Sequence, residues 1–450
     1  MGVGAGPNTI VTDGLILYYD IANKKSYIPQ STNLNMSFWN LGSGSVTGYV
    51  QNGGTSENER VMGTNPMGES VIVWETSGNT ISDADGGWNT SYHSVDNDYT
   101  YRFSIWVKRI SDSGGGTFYF GLNPAVVKLD DTSGGNPYWN CSASSSLTKD
   151  QWYLYVGHCF YHSYTGTTRH DDTGIYTTSG RIGNINGCNI GVDCKWNPST
   201  TSSQHRTYHY YCTDGITQLQ FYDPRMDKCD GIEPTIQELL TKSGSGVYDI
   251  IEDNNGVMPL SGSFIDNSIT FNGIDQYIKL PSQNDAQSPL TGWGNMTGAD
   301  NNDYSISIWV KTTQIVGSSS YNAAPLVSRN SNDIYAVFTI YNGYVYFSHH
   351  DGSWQSNIKS TTMVSDGEWH HVVFVNHSNE TGDLYIDSIK EINGLSSSIT
   401  ASNYFSPDNI GYGYSNRYLN GSVSMFQAYD KALSQIEVVQ NYNSQKYRFI

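Results

Sequence analysis

One strand-like phrase occurs twice in this chain, and it limits the fold more than any other feature. Ser104-Ile-Trp-Val-Lys108 reappears as Ser307-Ile-Trp-Val-Lys311, about 200 residues later. Three weaker matches keep the same order around each copy. Ser70–Glu75 matches Ser268–Gly273, Asp150–Val156 matches Gly367–Val373, and Gly215–Asp223 matches Gly421–Asp430. Four matches in one order imply a single fold used twice, each copy about 200 residues long.

The local signals are those of strands. Ala336–Tyr341 and Tyr344–Phe347 flank Asn342-Gly343, whose residue types suit a two-residue type I′ turn, so a hairpin is expected. His370–Asn376 and Asp383–Asp387 flank a polar turn and read as a second hairpin. Short strands between Gly, Asn and Ser turns predict an all-β chain of two antiparallel jelly-roll sandwiches. Helix signals are few and follow the fourth match in each copy. Ser434-Gln-Ile-Glu437 is a capping box opening a short helix to about Tyr442. Pro234 stands where the first helical position would be, ahead of Ile236–Leu240.

Charge excludes some functions. With 24 Lys+Arg against 42 Asp+Glu the net charge is −18. Neither nucleic-acid binding nor docking on an anionic membrane fits such a surface. No apolar run reaches the roughly 18 residues of a membrane span. The opening Met1–Asn8 has no basic n-region and no apolar h-region, so synthesis into a cytosol is expected. All six cysteines lie between Cys141 and Cys229 without a Cys-x-x-Cys pair. Free, mostly buried thiols are the expectation, with one or two disulfides as the alternative. His158, His205 and His209 lie near some of them and are the remote metal alternative.

Over roughly 243–450 the motifs resemble the laminin-G-like form of the concanavalin A-like lectin/glucanase superfamily. The resemblance rests on the strand phrase Ser268–Leu280, the Ser-Ile-Trp-Val-Lys strand, Gly367–Val372, and Tyr429–Ser434. Over 31–242 only the repeat carries it. Ile10–Tyr27 looks like the first strand of such a domain, and its continuation resembles Val247–Gly256. This implies an N-terminal arm at 1–9, a first strand of the C-terminal sandwich at 10–30, an inserted sandwich at 31–242, and the rest of the C-terminal sandwich at 243–450. Leu15–Tyr19 would then pair beside Val423–Tyr429. The phrase Thr12-Asp-Gly-Leu15 and the ending Gln440–Phe449 look like tailed-bacteriophage virion proteins, especially those of marine cyanobacteria. That resemblance implies a virion protein assembled in host cytoplasm.

The enzymatic branch of the superfamily carries Glu-x-Asp-x-(x)-Glu on one strand, which is not found here, and no Gly-x-Ser-x-Gly elbow appears. Asp383 and Asp387 share a strand face but look like hairpin residues. His349-His350 and His370-His371 cannot converge, because neighbours on a strand point to opposite faces. Each pair is read as one core and one surface imidazole. The reading is therefore non-enzymatic, with no cofactor except the possibility of calcium. Its candidate ligands are Asp275, Asp300, Asp303, Asp96 and Asp98, all in turn-like segments.

Glycan binding needs exposed rings for apolar sugar faces and nearby amides for hydroxyls. Tyr412, Tyr414, Asn416, Arg417 and Tyr418 form such a group on a Gly-rich loop. Trp354 follows the Tyr344/Tyr346 hairpin, and Trp293, Trp139 and Trp196 lie among turn residues. Trp106, Trp152, Trp309 and Trp369 are assigned to the core. The expected role is a fibre, spike or decoration protein that binds host-surface glycan. Its Gly-rich arm would dock on other virion proteins, and it would be a homo-oligomer without a visible coiled-coil heptad. A purely architectural virion protein is the alternative, and a bacterial adhesin exported without a classical signal is the third.

Overall fold

The computed structural model describes residues 9–28, 34, 36–185, 187–231, 233–243, 246–251, 255–258, 262–265, 267–280, 303–316, 324–328, 335–350, 354–378, 381–396, 408–413 and 416–449. The chain forms two compact units, 28–244 and the combination of 1–27 with 245–450. Both are built of mainly antiparallel sheets with short helices; in the first unit Trp152–Phe160 also pairs in parallel with Cys194–Lys195.

In the second of these units one sheet runs Ser263–Ile265, Ser268–Asn272, Asn420–Tyr429, Tyr304–Thr312, Trp369–His377, Thr381–Ile386, Ile389–Ser396. The long strand Asn420–Tyr429 has two partners along one edge. Ser268–Asn272 pairs with its first half, and Leu15–Asp20 with its second, with Leu17 opposite Ala428. The facing sheet holds the Tyr335–Tyr341/Tyr344–His350 hairpin. Asn342 and Gly343 both take positive φ, 50° and 85°, as a type I′ turn requires. Ile306, Ile308 and Val310 alternate into the core between the sheets, against Val372, Phe374, Phe338 and Phe347.

The first unit repeats this layout. Ser70–Ser77, Gln218–Lys228, Tyr101–Arg109 and Trp152–Phe160 occur side by side in that order, as do Ser268–Asn272, Asn420–Tyr429, Tyr304–Thr312 and Trp369–His377. Even the register agrees: Trp152 lies opposite Lys108, and Trp369 opposite Lys311. The four matched phrases are thus the four adjacent strands of one sheet, in both copies.

Several expectations are corrected. Trp309 is buried, but on the outer face of its sheet, where the helix α2 (Gln435–Gln445) covers it. Trp369 is half-buried rather than core and touches Phe449. The helix α1 (Ile236–Thr241) is capped by Thr235, so Pro234 precedes the cap rather than opening the helix. Cys141 and Cys188 form a disulfide with a Cα–Cα distance of 6.1 Å, because the backbones of Tyr138 and Cys188 exchange hydrogen bonds and bring the two chains together. Cys159, Cys194, Cys212 and Cys229 are free.

His370 and His371 do face opposite ways, yet both are buried. His370 sits between Asp387 and Asp366, at 2.8 and 3.1 Å. His371 lies 2.7 Å from the Ser307 hydroxyl and stacks on Trp309. Burial pushes the His371 pKa down to about 3. The folded state therefore holds it neutral, while the unfolded chain takes up a proton below about pH 6.5. Its contribution is complete above that pH and falls by about 1.4 kcal/mol per pH unit below it. Burial also acts downward on His370, but its two carboxylate partners outweigh it and raise the pKa. That gain is complete by pH 6.5 and offsets nothing further below. The stability difference between wild type and His371→Gln, measured by urea unfolding, should narrow by about 1.4 kcal/mol per unit from pH 6 to 4.5. A constant difference would show that His371 is not held neutral.

Candidate functional site

Three tyrosines meet at the surface of the C-terminal unit. Tyr412–Gly413 and Arg417–Tyr418 form a small hairpin in which Tyr412 lies opposite Tyr418, with ring centroids 4.9 Å apart. Asn416 closes the turn with φ 56°, a conformation asparagine tolerates better than most residues. The third ring comes from Tyr277, 4.9 Å from Tyr412 and 6.2 Å from Tyr418. All three are half-buried.

The cluster is fixed from beneath. Gln314 donates to the Tyr418 carbonyl at 3.2 Å and accepts from the Asn420 amide at 2.8 Å. The Ser328 hydroxyl donates to the Tyr412 carbonyl. The Tyr412 hydroxyl donates to Asn416 Oδ1 at 3.3 Å. Burial, then the neighbouring tyrosine hydroxyls, raises the pKa of Tyr418 and Tyr277, so their phenols keep their protons and can donate. Beside them Asn272 makes a closed turn. Its Oδ1 accepts from the Ile274 amide at 2.9 Å, and its Nδ2 donates to Asp275 Oδ1 at 2.8 Å. The patch combines the rings with the Asn272 and Asn416 amides and the Asp275 carboxylate, and Arg417 lies in the same small hairpin. That combination suits a ligand with an apolar face and hydroxyls at its edge.

The structure brings Tyr412, Asn416, Arg417 and Tyr418 together, whereas Tyr414 and Trp293 lie outside the described residues. Tyr277 was missed as a ring of the site. The strand pairing Ile278 to Ile410 delivers it, and no local pattern announces that contact. Tyr344 and Tyr346 are half-buried, but Lys359 lies over both rings, at 4.5 and 5.6 Å from their centroids. Trp354 belongs to the strand Trp354–Met363; its side chain is outside the description. Trp139 and Trp196 are corrected outright. Both are fully buried, Trp139 against Phe103 and Phe120, Trp196 against Tyr101 with its Nε1 donating to the Tyr99 carbonyl. Neither can be a surface platform.

The acidic candidates are engaged with protein groups. Asp275 holds Asn272, Asp303 accepts from the Ser378 amide at 2.7 Å, Asp98 faces His162 at 3.2 Å, and Asp96 faces Lys228 at 3.5 Å. Asp300 lies outside the described residues. Among the described residues no three His, Cys, Asp or Glu side chains are grouped as a metal site requires. Asp383 pairs with His377 and Lys390, and Asp387 with His370. Among the described residues no helix is long and apolar enough to cross a membrane.

Residues 272–439, which contain Tyr277, Tyr412 and Tyr418, match the family model of a laminin-G-type domain in the concanavalin A-like lectin/glucanases superfamily. The C-terminal unit therefore carries a concanavalin A-like lectin/glucanase domain. Solved structures with a similar fold include domain 4 of AbnA, a GH43 extracellular arabinanase from Geobacillus stearothermophilus, in complex with arabinotriose. It is 16% identical, with 43% of this chain and 91% of that chain covered and a TM-score of 0.33. The binding domain of Paraclostridial Mosquitocidal Protein 1 is also 16% identical, over 45% of this chain and 50% of that one, with a TM-score of 0.35. The binding domain of Botulinum neurotoxin DC, solved with rat synaptotagmin II, is 14% identical over 45% and 50%, with a TM-score of 0.33. The matched part of this chain thus spans half of each toxin binding domain. No curated protein matches the sequence.

Proposed function

We propose that this protein is a non-enzymatic, glycan-binding attachment protein, and that its C-terminal sandwich holds a sugar on the Tyr277–Tyr412–Tyr418 platform. The observation that carries this reading is the platform itself: three rings braced from below and bordered by amides. The lectin-type family match over the same residues supports it, although such folds host many functions. We place the protein on a bacteriophage particle as a fibre, spike or decoration, with its N-terminal arm docked on another virion protein. The likeness of Thr12–Leu15 and Gln440–Phe449 to tailed-phage virion proteins supports that setting.

A glycan array and a host-cell binding assay on purified protein, with and without calcium, test the reading. Saturable binding is expected, and Tyr412→Ala or Tyr418→Ala should weaken it about 10-fold or more, the usual effect of losing a central aromatic contact. Folded protein that binds neither glycan nor cells would leave the purely architectural role.

A further inference from the structure

The first unit contains a cleft that the tyrosine platform does not explain. It measures about 370 Å³, within the range of small-molecule sites. It lies where the two sheets of that sandwich part at one edge. Tyr138–Ala143 is the outermost strand of one sheet, and the hairpin of Gly174–Thr177 and Gly180–Gly183 extends the other beyond Trp152–Phe160. One wall is apolar and aromatic, made by Tyr153, Tyr155, Ile175 and Ile182. The polar wall is made by the uncharged Asn140, Ser142, Ser146 and Asn184, of which Asn184 Oδ1 accepts from the Arg181 guanidinium at 2.6 Å.

Three features separate this cleft from an accidental gap. Its polar wall is ordered: Asn140 Nδ2 donates to the Phe118 carbonyl at 2.8 Å, which turns Oδ1 toward the Ser142 hydroxyl at 3.0 Å. Tyr155 is braced edge-on against Phe118, with centroids 5.0 Å apart. The rim is covalently fixed, because the Cys141–Cys188 disulfide ties the segment that follows Asn184 to the strand Tyr138–Ala143. Ile182 nevertheless remains 56% exposed, an apolar side chain left uncovered at the mouth.

We infer that this edge cleft is a second ligand site, and that its ligand is a neutral saccharide unit. In a chain of net charge −18, none of the side chains lining the cleft is charged. A charged ligand would find no counter-charge in the lining, because the neighbouring Arg181 guanidinium is already taken up by Asn184 Oδ1 and the Asp171 and Thr173 carbonyls, and it would lose its hydration. A wholly apolar one would strip water from the polar wall, whose amides and hydroxyls, though bonded to Phe118, Ala143, Arg181 and one another, keep further donor and acceptor sites. A sugar ring sets its C–H face against the Tyr153/Ile175/Ile182 wall and its hydroxyls against Asn140, Ser142, Ser146 and Asn184. The cleft uses no residue of the tyrosine platform. A chain with two separate sites would bind a multivalent glycan surface more tightly than either site alone.

The test is saturation-transfer NMR and calorimetric titration on the full chain. The probes are glucose, galactose, mannose and arabinose and their disaccharides, with N-acetylneuraminic acid as the charged control. The background is Tyr412→Ala/Tyr418→Ala, which removes the first platform. A neutral sugar should still bind. Ile182→Trp and Ser146→Trp, both exposed positions that fill the cleft with little risk to folding, should each weaken that binding at least 10-fold. Loss of all binding in the double tyrosine background would overturn the cleft while leaving the platform reading intact. Unchanged binding in both filling variants would also overturn it. Sensitivity to the filling variants with none to the tyrosine substitutions would uphold the cleft and overturn the platform. Tighter binding of the acidic sugar than of any neutral one would overturn the assigned ligand class.

Discussion

Trp309→Ala is expected to destabilise the C-terminal unit by about 3–5 kcal/mol, the range for removing a fully buried tryptophan. The ring is completely enclosed. It stacks with Phe449 at 4.2 Å, His371 at 5.0 Å and Tyr442 at 5.7 Å, and its Nε1 donates to Gln445 Oε1 at 2.6 Å. Gln445 in turn donates to Gln427 at 2.9 Å. Alanine would leave a cavity beneath the helix and an unpaired buried carbonyl oxygen, two costs that add. Because these contacts hold α2, the loss should also be local. Hydrogen exchange in Gln435–Gln445 should accelerate more than exchange in the inner strands. Trp309→Phe keeps the stacking and loses only the hydrogen bond, so it should cost clearly less. If Trp309→Ala unfolds within about 1 kcal/mol of wild type in urea, the ring does not fasten the helix as described.

The same residue shows what a sequence can reveal and where it stops. Alternation in Ser307-Ile-Trp-Val-Lys311 fixes a strand and its two faces, because side chains repeat every second residue. It also makes the repeat visible, since the copies must satisfy the same sheet. Alternation does not say what covers the outer face. That cover comes from residues more than 130 positions away, in α2 and Phe449. Capping boxes are local, and the one at Ser434 and Glu437 is formed as the sequence indicates.

The site residues divide along the same line. Tyr412, Asn416 and Tyr418 are near neighbours in the chain, so their cluster was visible. Tyr277 required a sheet pairing to be known. Trp139 misled for a local reason: it lies among Gly, Asn and Pro, which signal turns. A bulge between Tyr138 and Asn140 lets it point inward, and Gly157 makes the room. A Cβ at Gly157 would lie only 2.3 Å from the Trp139 ring. Neither the bulge nor that close approach can be read from composition or spacing.

Removing the Cys141–Cys188 bridge should be the largest single loss for the first unit. The two residues are 47 positions apart. Closing a loop of that length removes enough entropy from the unfolded chain to stabilise the fold by about 4 kcal/mol in the chain-entropy treatment. Both cysteines are half-buried, so a reductant can reach them in the folded protein, whereas Cys159, Cys194 and Cys212 are fully enclosed. Native alkylation followed by mass spectrometry should therefore label Cys141 and Cys188 only after reduction and leave those three untouched. Urea unfolding of Cys188→Ser should show a loss approaching that of the reduced wild type, and reductant should add little further to the variant. Labelling of both cysteines without reductant, together with unchanged stability of Cys188→Ser, would refute the bridge. On the proposed virion route the chain folds in a reducing cytosol and gains this stabilisation only after release. The bridge also holds the rim of the edge cleft, so oxidation would order a ligand site in the compartment where host glycans are met.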